Sequence, residues 1–247
     1  MNKTAIIIPS RLEALRLPNK PLKLINNKAM ILHVYEAAKK SNTGEVYVAT
    51  PDQEILDLIK NKGGNAFLTS INHQTGTDRV YEVFKNKLKS IPDIVVNLQG
   101  DMPNIDPKDI KNLVSYIGAR RCDICTLASS FNSEKETADE NNVKVALKEK
   151  LKDNHFSQAI DFFRKEEKKY EFFYHHVGIY AFTSKALVRY VGLKRSKLEL
   201  ERKLEQLRAL ENSMTIHVGY INSSPLSVDT NNDLIEVRKI MEKNEQN

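Results

Sequence analysis

The first half of the chain alternates short apolar runs with amphipathic stretches at helical spacing. Predicted strands are TAIIIP (4–9), EVYVAT (45–50), NAFLT (65–69) and DIVVNLQ (93–99). Predicted helices cover 29–41, 52–64, 77–89 and a stretch from Asp106 or Pro107 to about Tyr116. Strands separated by helices of this length predict right-handed βαβ units. We therefore expect an α/β fold, a mainly parallel sheet flanked by helices, with ligands at the carboxyl edge of the sheet.

The regular alternation of predicted strands and helices ends at about residue 143. Strand-like runs there are interrupted by a charged insert at 164–171, which is a solvated loop or, alternatively, a basic binding patch. We expect a smaller β region inserted at about 150–180 within a single domain, 1–247. Further elements are a strand in RRCDICTLA (120–128), a helix at 198–211, a strand at 216–221 and a closing helix at 231–242.

Composition adds a preference for acidic partners. The 247 residues are 40% hydrophobic and carry a net charge of +6, which favours nucleic acid, anionic lipid or small phosphorylated or carboxylated molecules. Cys122 and Cys125 imitate the spacing of a redox or zinc pair, but no second pair or histidine cluster accompanies them, so we expect a structural role. No apolar run is long enough for a membrane span and the start does not resemble a signal peptide, which favours a cytoplasmic protein.

Cations follow the first strand directly. Within IIIPSRLEALRLPNKPL (6–22), three cationic side chains and two prolines crowd into a short loop: Arg11, Arg16, Lys20, Pro18 and Pro21. No glycine-rich phosphate motif is present. Arginine forks and a lysine ammonium can clamp a polyphosphate, but a solvated basic loop explains the same residues.

Two carboxylates end predicted strands or short runs. Asp101 lies in QGDMP (99–103), and Asp229 lies in PLSVDTNNDL (225–234). Carboxylates at strand ends are suitable Mg²⁺ ligands, since Mg²⁺ takes few protein oxygens. Asp101 could equally be a turn residue and Asp229 a helix N-cap.

Three further stretches carry polar side chains at predicted element ends. In HQTGTDR (73–79), Gly76 permits a tight turn, Thr77 or Thr75 can cap the next helix, and Arg79 falls in its first turn, where a cation is disfavoured unless it faces a ligand. His175 and His176 point to opposite faces of a predicted strand, so only one can line a site. LEQLR (204–208) presents Glu205 and Gln206 on a predicted helix.

Six stretches together resemble the 3-deoxy-D-manno-octulosonate (Kdo) cytidylyltransferases. They occur in the family's order as IPSRLEALRLPNKPL, HQTGTDRV, VNLQGDMP, HHVGIYAF, LEQLRALE and VDTNNDLIEV, and extend from Ala5 to about Val237. The resemblance implies a nucleotide-binding, Rossmann-like α/β fold. It also implies a cytoplasmic Mg²⁺-dependent homodimer that couples CTP to Kdo, giving CMP-Kdo and pyrophosphate for lipopolysaccharide synthesis, without nucleic acid or membrane partners. The inserted β region would form the dimer contact.

The resemblance also implies roles for individual residues. Lys20, Asp101 and Asp229 would be catalytic, and the two aspartates would bind Mg²⁺. The nucleotide would contact Arg11, Arg16, Lys20, Gln74, Thr75, Gly76 and Arg79. The sugar would contact Gln99, His176, Glu205 and Gln206.

Departures from the family pattern keep two alternatives open. Ala14 replaces a serine, Asn19 a glycine, Met102 an acid, and Gln158 a sugar-site arginine for which Arg164 or Lys165 could compensate. Another acidic sugar is therefore an alternative substrate, and a non-catalytic nucleotide-binding paralogue is an alternative function. Nucleic-acid binding is disfavoured because the basic residues are dispersed and no recognition motif occurs.

Overall fold

A computed structural model describes residues 2–13, 16–119, 122–152, 155–165, 168–222 and 224–245. Ala14, one of the departures, lies outside the described residues, as do Arg120 and Arg121 at the start of RRCDICTLA. The chain forms two compact units, residues 1–112 with 225–247, and residues 113–224.

Parallel strands and the helices between them build the first unit. Its strands are β1 (Thr4–Pro9), β2 (Leu24–Ile25), β3 (Lys28–Ala29), β4 (Glu45–Thr50), β5 (Asn65–Leu68) and β6 (Ile94–Leu98). Its helices are α1 (Met30–Lys40), α2 (Gln53–Asn61), α3 (Gly76–Asn86), the start of α4 (Pro107–Ala119) and α9 (Asn231–Glu245), with a short 3₁₀ turn at Lys20–Leu22. The four long strands are parallel in the order β5-β4-β1-β6. The predicted strands, helices and parallel pairing in this half are confirmed.

Burial explains why these segments form strands and helices. All residues of β1 and β6 are buried, as expected for parallel strands covered on both faces. Helix α1 buries Met30, Ile31 and Val34 completely. Thr75 caps α3 by accepting a hydrogen bond from the Asp78 amide, and Asp78 reciprocates in a capping box. The capping role predicted for Thr75 is thus confirmed.

A small core cluster anchors the first loop. Leu17, from the loop after β1, packs with residues of the β2–β3 hairpin, α1, α9 and the segment before α9, namely Ile25, Met30, Val228, Leu234 and Val237. Leu17 is 6% exposed. Burial of this one side chain fixes the loop between Arg16 and Lys20 to the unit.

The second unit is built around five strands. These are β7 (Ile124–Ser129), β8 (Lys144–Leu147), β9 (Phe156–Phe163), β10 (Phe173–Thr183) and β11 (Ile216–Tyr220); the helices are α5 (Glu134–Ala138), α6 (Ser184–Gly192), α7 (Lys197–Arg202) and α8 (Leu207–Glu211). Each strand pairs with two others in the cycle β10-β7-β11-β9-β8-β10. Apart from β7–β11 the pairs are antiparallel, and they contain the β runs predicted after residue 143.

One local prediction is wrong, and one of the alternatives left open for Asp229 is excluded. The single helix expected at 198–211 is two helices, α7 and α8, because Lys203 adopts a left-handed conformation (φ 55°) that ends the first. Asp229 does not cap α9, because the Thr230 hydroxyl accepts from the Asp233 amide and the Asp233 carboxylate from the Thr230 amide. In the charged insert, Arg164 donates to the carbonyls of Glu140 and Asn141, and 166–167 lie outside the described residues. None of the described helices has the length and apolar character needed to cross a bilayer.

Candidate active site

A cavity of about 710 Å³ opens in the first unit where β1 and β6 end. The loops after β1, β5 and β6 line it, together with the segment before α9. It gathers ten of the residues predicted from sequence: Arg11, Arg16, Lys20, Gln74, Thr75, Gly76, Arg79, Gln99, Asp101 and Asp229. The geometry therefore brings the predicted nucleotide and metal residues together, and Gln99 with them, at the sheet edge where ligands bind in such folds.

Lys20 connects the two carboxylates at the centre of this cavity. Its Nζ lies 3.0 Å from Asp101 Oδ2 and 3.1 Å from Asp229 Oδ1, and Arg16 contacts the other oxygen of Asp229 at 2.9 Å. Burial alone would lower the pKa of Lys20, but the two carboxylates raise it above its ordinary value. Lys20 is therefore a fixed cation at neutral pH.

Backbone geometry helps to place Lys20, Asp101 and Asp229. Asn19 is left-handed (φ 56°) and leads directly into the 3₁₀ turn that begins at Lys20. Asparagine tolerates that conformation, so the replacement of the family's glycine is accommodated. The Val228 amide donates to the Asp101 carbonyl at 2.9 Å, which ties the two acidic segments to each other.

The donor set suits a hard divalent cation. Asp101 and Asp229 offer carboxylate oxygens that already converge on one cationic nitrogen, and oxygen ligands are those that Mg²⁺ takes. Within the described residues, no group of three His, Cys, Asp or Glu side chains could hold a metal ion. A metal at Asp101 and Asp229 would thus complete its coordination with oxygens of a ligand or of water.

Arg79, which was predicted to face a ligand, is held by hydrogen bonds within the wall of the cavity. It lines the cavity but is 3% exposed, and its guanidinium donates to Thr69 Oγ1 at 2.5 Å and the Ser70 carbonyl at 3.0 Å. Burial and the charge of Arg11 lower its pKa. The internal hydrogen bonds explain how a cation is tolerated in the first turn of α3. They also give Arg79 a role in shaping the loop before that helix.

Sequence reasoning missed several residues that support the cavity. Asn97 donates to Thr77 Oγ1 at 3.1 Å and accepts from Gln99 Nε2 at 2.9 Å, which fixes the Gln99 amide. The signal was available, because Asn97 is a polar residue within an otherwise apolar strand. Asp52 accepts from the Leu12 amide at 2.8 Å and so holds the cationic loop. No sequence pattern indicates that contact.

Ser10 is a further missed residue. Its hydroxyl is buried without a hydrogen-bond partner among the described residues, and the residue lines the cavity beside Arg11. A buried hydroxyl left unsatisfied is costly. Its position next to the cationic loop is one that its residue type alone did not indicate.

His176 is a predicted sugar residue that lies in the second unit. It is 8% exposed, and its Nε2 hydrogen-bonds with Thr126 Oγ1 at 2.9 Å. Burial, with a smaller effect of His175, lowers the pKa of His176 to about 3, so it is neutral at pH 7. His175 points the other way, toward Glu136 at 3.1 Å, as the strand pattern predicted.

Glu205 and Gln206 lie between α7 and α8 in the second unit, rather than on a continuous helix. Gln206 is 6% exposed, and both line a small cavity with Tyr180, Phe182 and Tyr190. Gln206 is thus a buried residue rather than one on the surface of a helix. The left-handed Lys203 ends α7 shortly before this segment.

Two departures from the family pattern have clear environments. Met102 is 3% exposed and packs as a core residue. Gln158 is exposed on β9 opposite His217 of β11. Arg164 lies six residues further along the chain, about 20 Å away if extended, and its guanidinium is held by carbonyls. Arg164 therefore does not replace an arginine at position 158.

A comparison with known proteins bears on this site. A family model described as cytidylyltransferase matches residues 5–216. The chain belongs to the cytidylyltransferase family. A 3-deoxy-manno-octulosonate cytidylyltransferase of Rickettsia bellii is 41% identical over 97% of this chain and 96% of its own, and one of Rhodopseudomonas palustris is 39% identical over 97% and 98%. The resemblance stated from six sequence stretches is confirmed.

Solved structures extend this cytidylyltransferase likeness to three dimensions. A CMP:2-keto-3-deoxy-manno-octonic acid synthetase in complex with CTP has a TM-score of 0.88 and 34% identity, covering 98% of this chain and 99% of its own. A 4-diphosphocytidyl-2C-methyl-D-erythritol synthase of Anaerococcus prevotii has a TM-score of 0.64 at 13% identity over 98% and 99%. The second likeness supports the fold alone, and the α/β class predicted from the sequence is confirmed.

Proposed function

We propose that this protein transfers the cytidylyl group of CTP to Kdo, giving CMP-Kdo and pyrophosphate. The observation that carries the proposal is the convergence of Asp101 and Asp229 on Lys20, within a cavity that also contains Arg11 and Arg16. The Kdo cytidylyltransferases that resemble the chain over nearly its full length supply the two substrates.

Arg11, Arg16 and Lys20 bind the triphosphate in this proposal. Phosphate oxygens accept from guanidinium and ammonium groups in charge-assisted hydrogen bonds, and the cations neutralise charge on the departing pyrophosphate. Arg16 is 60% exposed at its side chain and contacts only Asp229 among the described partners. It can therefore turn to phosphate at small cost, since exposed ion pairs are weak.

Asp101 and Asp229 would hold the divalent ion that nucleotidyltransferases generally use, and we propose Mg²⁺. Bound there, a metal ion would lower the pKa of the attacking sugar hydroxyl and orient the α-phosphate. Lys20 remains protonated beside both carboxylates, which suits it to bind phosphate rather than to accept a proton. Residues 74–79, at the start of α3, position the nucleoside, and Gly76 leaves room where a Cβ would lie 3.3 Å from Pro9 and 3.5 Å from the Gln99 amide oxygen.

The sugar acid is assigned to Gln99, His176, Glu205 and Gln206. Neutral His176, held by Thr126, can serve as a hydrogen-bond partner for a hydroxyl but not as a cation for a carboxylate. Exposed Gln158 favours a second candidate, a different acidic sugar, because an amide lacks the bidentate charge of arginine. Both candidates keep the same nucleotide chemistry.

Four accompanying features belong to the same proposal. The reaction takes place in the cytoplasm, where CTP is made, and supplies lipopolysaccharide synthesis. The protein works as a homodimer through the region around 150–180, and neither nucleic acid nor membrane is a partner. The dispersed basic residues support the exclusion of nucleic acid.

Pyrophosphate release with CTP and Mg²⁺ tests the function. Kdo, a nonulosonic acid or no sugar is added in parallel. Release with Kdo supports the assignment, and release with the nonulosonic acid alone moves the substrate to the second candidate. Retained CTP binding without release for either sugar would contradict catalysis and favour the non-catalytic alternative.

A further inference from the structure

A buried ion pair joins residues on either side of the Glu205–Gln206 segment in the second unit. Arg208 donates to Glu199 through Nε at 2.9 Å and through a terminal nitrogen at 2.6 Å. The two residues are 4% and 1% exposed. Glu199 also accepts from Arg195 Nε and from the Ser196 amide, both at 3.1 Å. A buried carboxylate with this many donors is an immobile anchor.

Hydrogen bonding to Glu199 raises the pKa of Arg208. Burial alone would raise the pKa of Glu199, but its donors, Arg208 first, lower it below the ordinary value. Both groups are charged at neutral pH, and the anchor stays intact over the range in which an enzyme of this kind operates.

Arg208 in turn contacts the ring of Tyr190 on α6 and restricts its position. Its guanidinium carbon lies 4.7 Å from the centre of the Tyr190 ring, a distance at which a cation is attracted to the ring face. Tyr190 is 2% exposed. A ring held by its face and buried on its other sides has one available position for its hydroxyl.

That hydroxyl donates to the carbonyl of Glu205 at 2.8 Å. The same carbonyl accepts from the Arg208 amide at 3.1 Å. Since a peptide group is planar, fixing the Glu205 carbonyl also fixes the orientation of the Gln206 amide and the path of the chain between them.

The Glu205–Gln206 segment needs such support because the residue that precedes it by two positions, Lys203, has an unfavourable backbone conformation. Lys203 is left-handed at φ 55°, a conformation that a residue with a Cβ adopts rarely. Its amide and that of Leu204 both donate to the Glu199 carbonyl, the latter at 3.3 Å. Glu199 therefore contacts the turn through its backbone and, by way of Arg208 and Tyr190, through its side chain.

We infer that Arg208 and Tyr190 are positioning residues for sugar binding, with Glu199 as their anchor. They act by holding the peptide group between Glu205 and Gln206 in the orientation that these two residues need to meet the sugar acid. The inference rests on the proposed function, in which Glu205 and Gln206 contact the sugar.

Tyr190→Phe is the variant that tests it, because it keeps the ring under Arg208 and removes only the hydroxyl. We expect KM for Kdo to rise about 2- to 10-fold, the value of one such hydrogen bond. KM for CTP should stay unchanged. The matched control is Tyr174→Phe, which removes a part-buried hydroxyl that accepts from the Leu151 amide at 3.0 Å in the same unit. The control should alter neither KM.

Arg208→Lys provides a second variant that keeps the charge but loses the two-point contact with Glu199. We expect a rise in KM for Kdo at least as large as with Tyr190→Phe, together with a lower melting temperature. Since that variant can fail to fold, Tyr190→Phe decides the question by itself.

The outcomes are distinct. A selective rise in KM for Kdo in Tyr190→Phe, absent in Tyr174→Phe, supports the inference. An unchanged KM for Kdo, or equal changes for both substrates, overturns it while leaving the proposed function intact. Absence of pyrophosphate release by the unaltered protein with Kdo and with a nonulosonic acid overturns the proposed function and the inference with it. If only the nonulosonic acid is used, the same comparison is made with that acid.

Discussion

Two ion-pair clusters in this protein use the same chemical groups in opposite ways. In the first unit, Lys20 and Arg16 contact Asp101 and Asp229, and the side chains of Arg16 and Asp229 are 60% and 42% exposed. In the second, Arg208 and Glu199 are almost completely enclosed. Exposed pairs contribute about 0–1 kcal/mol, whereas removing one partner of a buried pair costs about 3–5 kcal/mol.

The difference in solvent exposure distinguishes a ligand-binding site from a structural support. In the first, open cluster, the exposed Arg16–Asp229 pair can exchange its partners at little cost, which is what a phosphate- and metal-binding site requires. The closed cluster cannot exchange partners without a large loss of stability, which suits it to fix a neighbouring segment. The presence of an ion pair therefore does not identify a functional site; its accessibility to a ligand does.

Asp101→Asn should have the largest effect on activity. Removing one carboxylate charge from the proposed metal position should lower kcat at least about 10³-fold, because metal-assisted charge stabilisation contributes several kcal/mol. Steady-state pyrophosphate release measures this. Asp57→Asn, on the exposed face of α2, is the matched control and should be neutral. Turnover by Asp101→Asn within tenfold of the unaltered protein would remove Asp101 from the mechanism.

Glu199→Gln should have the largest effect on stability. It leaves the Arg208 cation buried without its carboxylate and should lower the free energy of unfolding by about 3 kcal/mol. Asp229→Asn removes a charge from the open cluster and should cost under about 1 kcal/mol. Urea unfolding of both variants makes the comparison. Equal losses would contradict the distinction between the clusters.

The Glu199 contribution should also depend on pH. Its pKa in the folded protein is below the ordinary value of 4.5, so the unfolded chain binds the proton more readily. The stabilisation is complete above about pH 4.5 and is lost as the pH falls through the lower, folded-state value. The difference in free energy of unfolding between the unaltered protein and Glu199→Gln should therefore become smaller below pH 4.5. Urea unfolding across a pH series measures this difference. A difference that grows on acidification would refute this.

Lys20→Met should weaken the binding of the nucleotide more than the binding of the sugar. Loss of a charge-assisted contact to phosphate costs about 1.5–3 kcal/mol, which corresponds to a rise in KM for CTP of about 10- to 100-fold. KM for Kdo should change much less. Lys23→Met, which removes a lysine just after the 3₁₀ turn, is the control. Equal changes in both KM values would argue against the phosphate clamp.

Gln158→Arg should have the smallest effect. If position 158 contacts the sugar carboxylate, restoring arginine should lower KM for Kdo about tenfold, as expected for a charge-assisted pair. The sugar panel described above measures it. An unchanged KM would place Gln158 outside the sugar site.

Much of the first unit could be predicted because local pattern and tertiary fold agree there. β1 and β6 are buried throughout, α3 has its capping box, and the strand-end position of Asp101 follows from the sheet. The break at Lys203 could not be predicted, since neither a glycine nor a proline marks it. Asp229 pairs with Lys20, 209 residues away, and Arg208 pairs with Glu199, 9 residues away. Sequence spacing alone does not select among such contacts.

The most direct test of the central claim is the affinity for Mn²⁺, an electron-paramagnetic substitute for Mg²⁺, measured by electron paramagnetic resonance with saturating CTP. The claim is that Asp101 and Asp229 hold the divalent ion of the proposed reaction. The account predicts a CTP-dependent site that Asp101→Asn and Asp229→Asn each weaken at least about tenfold, since each removes a charged ligand. Asp57→Asn should leave it unchanged. Unaltered Mn²⁺ affinity in both site variants would contradict the account.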